Sequence, residues 1–249
     1  MDKANALTAV LKRLNAGDDP AKVRAEAKQL LATISPADLA IAEQNLIDEG
    51  LSLEDLQALC DVHLEVLKDQ VTQMKTSLPK GHIVATMVSE HEAILGFLDE
   101  LDRVNRSIQA MSEYAPQAEE FARLSHIAEH LVETERHHQR EEEVLFPELE
   151  KRGVHGPPTV MRAEHAELRP RKHALKQLCE RGARMDFEDF KRQLAELAGF
   201  IVPTLREHIA KENNILYPTA LQVIDDDTVW QRLKAACDEI GYCCFTPEA

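Results

Sequence analysis

Apolar residues recur at steps of three and four through much of this chain, the spacing of helices that bury one face. One stripe runs Ile83, Met87, His91, Ile94, Leu98, Leu101, and a second runs Phe121, Leu124, Ala128, Leu131, His138, Glu142, Leu145, Leu149. Met161, His165 and Leu168 share a third face, and Leu194, Leu197, Ile201, Leu205, His208, Glu212, Ile215 form a fourth. These stripes predict four long helices over 82–112, 116–150, 159–181 and 186–221, with a loop at 151–158 and a last short helix over 228–240. Pro170 lies inside the third helix and is expected to kink or delay it. Upstream, helices are predicted over 2–16, 20–33, 35–49 and 52–78, punctuated by Gly17, Pro20, Pro36 and Gly50. Pro79, Lys80 and Gly81 then mark a hinge. The expected architecture is all-α: a small helical domain over 1–78, an up-down four-helix bundle over 82–221, and a C-terminal helix and tail over 222–249.

Composition agrees with an all-helical chain, since only nine of 249 residues are glycine and aromatic residues are few. A formal charge of −15 argues against binding nucleic acid or anionic lipid, both of which demand a basic surface. No stretch is apolar for the eighteen or more residues that a membrane span requires. Residues 1–5 lack the basic and apolar succession of a secretory signal. The five cysteines (Cys60, Cys179, Cys237, Cys243, Cys244) are odd in number and lack framework spacing, so a reducing cytoplasm is the expected setting. The vicinal Cys243 and Cys244 are read as tail packing.

The stripes carry polar interruptions, and these bear the chemistry. Residues 208–221 and 137–149 repeat one pattern, in which a His is followed four residues later by a Glu and then by an aromatic-Pro pair. The i to i+4 spacing stacks imidazole and carboxylate on one helix face, a turn apart. His208 and Glu212 sit on a buried stripe, where an unpaired carboxylate is costly and a metal ion removes the cost. With His91 and His165 on two further helices, four helices present the donor set of a carboxylate-bridged two-metal centre. In the second helix the adjacent pairs compete. Counting back from the aromatic-Pro pair favours His137 with Glu141, whereas the stripe favours the alternates His138 and Glu142.

Residues 82–221 resemble the haemerythrin-like cation-binding domain, through Glu90-His91-Glu92, Glu164-His165 and the two repeated blocks at His137 and His208. That resemblance implies a non-haem di-iron centre with His91, His137, His165 and His208 as terminal ligands and Glu141 and Glu212 as bridges. Zinc or manganese would suit the same donors. The oxygen-carrying branch has a second His one turn after its third-helix ligand, where this chain has Arg169. An open position on one ion is therefore expected, with His126, His130, Glu142 and His173 as the substitutes weighed. Oxygen, nitric oxide or peroxide are the implied small ligands. The implied role is a sensor or responder to oxygen, nitric oxide or redox stress, and the alternatives are a di-iron peroxidase, nitric oxide reductase, iron-centre repair protein or oxygen or iron carrier. The first seventy residues resemble an uncharacterised helical domain that often precedes haemerythrin-like domains, through residues 46–51 and 59–63. It offers a surface for a homodimer or a signalling partner. Cys60 and His63 within it read as packing and capping, or as metal or haem ligands, and His82 is expected to face the hinge.

Overall fold

The computed structural model describes residues 78–247 apart from 80 and 116, together with 9 and 13. The helices expected before residue 78, and Cys60 with His63, lie outside the described residues. Every regular element among the described residues is helical. Helix α1 spans Ile83–Gln109 and is the first of four rods. The second rod is built from α2 (Glu119–Glu133), α3 (Glu135–Arg140), a π-helical turn (Glu141–Leu145) and α4 (Phe146–Glu150). The third is α5 (Gly156–Arg181). The fourth joins α6 (Phe187–Lys211), a second π-helical turn (Glu212–Leu216) and α7 (Tyr217–Val223). Helix α8 (Asp227–Ile240) then packs across the first rod, α3 and the first π turn. The first and third rods each pack against both the second and the fourth, which closes a four-helix bundle with up-down connections.

Each π turn is followed, after one aromatic residue, by a proline that lacks an N–H, Pro147 or Pro218. The backbone widens there by one residue, and the Phe146 and Tyr217 N–H groups bond back five residues to the Glu141 and Glu212 carbonyls. Both widened turns thus begin at the Glu of the repeated block.

The boundaries show two departures from the periodicity. The third helix starts at Gly156, with Pro157 and Pro158 in its first turn, where a missing N–H costs nothing. It continues through Pro170, just as α6 continues through Pro203. Both prolines lie on exposed faces, where water can satisfy the freed carbonyls.

The core is split into two apolar clusters. One gathers Ile83, Met87, Phe146, Leu149, Met161, Leu216 and Leu233 at the end capped by α8. The other gathers Leu98, Leu101, Leu124, Leu131, Leu168, Leu194 and Leu205 along the opposite part of the bundle. Between them lies a layer of buried polar side chains, sealed from water on both sides. Leu98→Ala, at a fully buried position one cluster away from that layer, is expected to lower the unfolding free energy by about 2–5 kcal/mol in denaturant titration. Metal uptake should be unchanged.

Candidate metal centre

The polar layer draws His91 from the first rod, His137, His138 and Glu141 from the second, His165 from the third, and His208 and Glu212 from the fourth, all buried. Their donor atoms form overlapping sets able to hold metal ions: His91, His137 and Glu212; Glu141, His165, His208 and Glu212; and His138, His165 and His208. Glu212 joins the first two sets by opposite oxygens. Its Oε2 lies 3.0 Å from His91 Nε2, and its Oε1 lies 2.9 Å from His208 Nε2 and 3.7 Å from His165 Nε2. Glu141 Oε2 stands 3.6 Å from His137 Nε2 and 3.5 Å from His165 Nε2. Within each imidazole pair the Nε2 atoms face one another, at 3.1 Å for His91 and His137 and 3.0 Å for His165 and His208.

The outward nitrogens explain this aim. His137 Nδ1 donates to Glu90 at 2.6 Å, His165 Nδ1 to Glu142 at 2.7 Å, His208 Nδ1 to Glu164 at 2.8 Å, and His91 Nδ1 to the Asn213 amide oxygen at 2.9 Å. A carboxylate only accepts, so the outer nitrogen carries the proton and Nε2 turns a lone pair inward. Two lone pairs about 3 Å apart need a proton or a metal cation between them. The ring attracts positive charge accordingly. Burial disfavours a charged His137, yet the Glu141 and Glu90 carboxylates prevail and lift its pKa to about 9. Glu212 and Glu164 likewise overcome burial at His208 and lift it to about 10.

Charge accounting points the same way. Three buried cations pair with outer carboxylates: Arg140 with Glu90 at 2.6 Å, Lys211 with Glu164 at 2.8 Å, and Lys172 with Glu135 at 2.6 Å. At the centre, Glu141 Oε2 and both oxygens of Glu212 accept no hydrogen bond. Buried carboxylate oxygens in that state are costly, and a metal cation is the partner that their imidazole surroundings fit.

The layer has an internal two-fold pattern. Glu90, His91, His137, Arg140, Glu141 and Phe146 answer in position to Glu164, His165, His208, Lys211, Glu212 and Tyr217. The pattern fails at three places, one of them Glu142 against Asn213, which hold His165 and His91 from outside. His138 has Ile209 as its counterpart, so an additional imidazole stands only beside His165 and His208; its ring stacks on His165 with centroids 3.8 Å apart. Tyr217 places a buried hydroxyl, absent from Phe146, beside the other pair. It donates to Glu141 Oε1 at 2.7 Å and lies 3.3 Å from His137 Nε2.

The choice between His137 and His138 therefore has no single winner. Adjacent helical residues point about 100° apart, and the second rod has neighbours on two sides, so His137 faces His91 of the first rod while His138 faces His165 of the third. Glu142, the alternate carboxylate, is half-buried and holds His165 from outside. The other substitutes for a further donor do not enter the layer. His126 and His130 make tilted or edge-on ring contacts with each other and with Phe97, and His173 is exposed. Arg169 spans Glu135 and Glu142, at 2.5 Å and 3.3 Å. His82 caps α1, accepting from the Val84 N–H at 3.2 Å, and its ring rests on Trp230. Of the vicinal cysteines, Cys243 is buried and Cys244 exposed.

Sequence periodicity missed Tyr217, Asn213, Lys172, and the orienting roles of Glu90 and Glu164. Only the repeated register, which sets Tyr217 opposite Phe146, signalled any of them.

Residues 82–220, more than half of the chain, match the model described as Hemerythrin HHE cation binding domain. Residues 7–73 match a family of unknown function, DUF438. No curated protein matches the chain. Glu212→Ala removes the carboxylate common to two of the donor sets. It is expected to lower bound metal by more than the tenfold or so typical of losing an outer partner, while circular dichroism shows the helix content retained.

Proposed function

The chain belongs to the haemerythrin HHE cation-binding family, and on that premise we propose that its bundle holds two iron ions and responds through them to oxygen, nitric oxide or redox stress. The observation that carries this reading is Glu212, whose two oxygens reach separate imidazole pairs, 3.0 Å from His91 and 2.9 Å from His208. His91 and His137 would hold one ion, His165 and His208 the other, and Glu141 and Glu212 would bridge them. Imidazole and carboxylate donors of this kind suit iron, and would suit zinc or manganese as well. Iron at such donors supplies electron transfer and, where a coordination position stays open, direct binding of a small ligand.

The protein's own groups would shape that response. The apolar clusters on either side keep the layer dry, which strengthens each electrostatic contact within it. Tyr217, its pKa driven well above the usual phenol value by burial and by Glu141 and Glu212, stays a neutral hydrogen-bond donor beside the first pair. His138 is held neutral, since burial and the neighbouring His165 and Lys172 lower its pKa well below the usual value. Arg169 occupies the outer end of the third rod's polar face and ties Glu142 in place behind His165. In this reading the bundle detects and the N-terminal region, which matches a family of unknown function, transmits. A second reading, a peroxide- or nitric-oxide-consuming enzyme, is favoured by the Tyr217 hydroxyl as a hydrogen-bond donor at the centre.

Anaerobic purification with metal analysis and visible spectroscopy tests the proposal. About two irons per chain are expected, with a charge-transfer band that changes reversibly on adding oxygen or nitric oxide. Fewer than two irons per chain after anaerobic loading would overturn it. Sustained multiple-turnover loss of peroxide or nitric oxide would favour the enzyme instead.

A further inference from the structure

After α8 the chain reverses at Gly241, whose φ of 87° suits glycine, and residues 242–246 lie as a strap across the first and second rods. Tyr242, Cys243 and Thr246 meet the outer shell of one imidazole pair. The Tyr242 ring lies 4.7 Å from the Arg140 guanidinium carbon. Cys243 donates to the Glu133 carbonyl at 3.4 Å and touches Arg140 at 4.0 Å. Phe245 packs edge-on against Phe97 with ring centroids 5.2 Å apart, and the Thr246 hydroxyl donates to Glu90 Oε1 at 2.5 Å. Glu90 is the carboxylate that orients His137, and Arg140 is the cation that balances it. On the other half of the layer, Glu164 and Lys211 take the corresponding places beside His208.

We propose that the C-terminal strap is a positioning clamp for one of the two metal ions, with Thr246 as its working residue. The inference rests on the two-ion reading above. Glu90 has two oxygens to divide among a ring nitrogen, a guanidinium and a hydroxyl. Arg140 bonds both oxygens at 2.6 Å and alone would leave the carboxylate free to swing about that contact. The Thr246 hydroxyl fixes Oε1 and so presents Oε2 to His137 Nδ1. The imidazole ring is thereby held in the plane that aims Nε2 at His91. His165 and His208 take their outer partners, Glu142 and Glu164, from the second and third rods. The strapped ion would leave more slowly than its inner donors alone dictate. A cavity of about 280 Å³, lined in part by Gly81, Thr86, Lys234 and Thr246, adjoins the clamp.

The test uses the full chain loaded anaerobically with ferrous iron and challenged with an excess of ferrous chelator, with release followed optically. Thr246→Val keeps the shape of the side chain and removes the hydroxyl. One of two equivalents is expected to leave about tenfold faster, the other at the wild-type rate, and Thr246→Ser should restore slow release. A chain ending at Gly241 should behave like Thr246→Val, and Glu164→Gln should hasten the opposite equivalent. Wild-type release of both equivalents from Thr246→Val, or equal acceleration of both, would overturn the clamp while leaving the two-ion reading intact. Wild-type protein that loads fewer than two ions would overturn both.

Discussion

Two carboxylates buried among imidazoles, with oxygens that no donor satisfies, are the constraint around which this bundle is organised. A charge withdrawn from water is costly unless something opposite stands beside it. The outer layer meets that requirement by its own means, since Glu90, Glu164 and Glu135 each have a buried cation. Glu141 and Glu212 are left with ring nitrogens whose own protons are committed outward. The residual negative charge is therefore concentrated at the centre of the layer, which is where cations can use it.

The rest of the fold serves to keep that arrangement dry and at one depth. Apolar clusters on both sides exclude water, and the rods lock the donors by packing rather than by loops. The Leu-aromatic-Pro ending of each repeated block contributes twice. Each widened turn precedes an aromatic-Pro pair, and the aromatic side chain lies beneath the layer, Phe146 by His165 and Tyr217 by His91. The same local rule, applied at two places in the chain, produces a nearly symmetric ring, and the departures at His138 and Tyr217 then make its halves chemically distinct.

Much of this was legible in the residue pattern. His208 and Glu212 betray themselves by interrupting an apolar stripe, and the repeated block carries His137 and Glu141 with it by register. The bundle and its connections follow from the same stripes. What could not be read depends on which helix stands beside which. His137 and His138 straddle one seam, and only the placement of the first and third rods on opposite sides of the second gives both an inward role. Glu90 and Glu164 precede a stripe His and so look like solvated neighbours, yet each crosses to the next rod to hold a His more than forty residues away. Lys172 offers no periodic signal that separates it from a surface lysine. Pro157 and Pro158 looked like loop because proline ends helices more visibly than it begins them.

The exposed prolines of the third and fourth rods have a mechanical corollary. Pro170 and Pro203 each delete one rung of the backbone ladder, freeing the Ala166 and Gly199 carbonyls. Those gaps fall within about a turn and a half of His165 and His208, whereas Ile83–Gln109, which carries His91, contains no proline. The backbone ladder is thereby weakened on the third and fourth rods, which places the gaps on one side of the bundle.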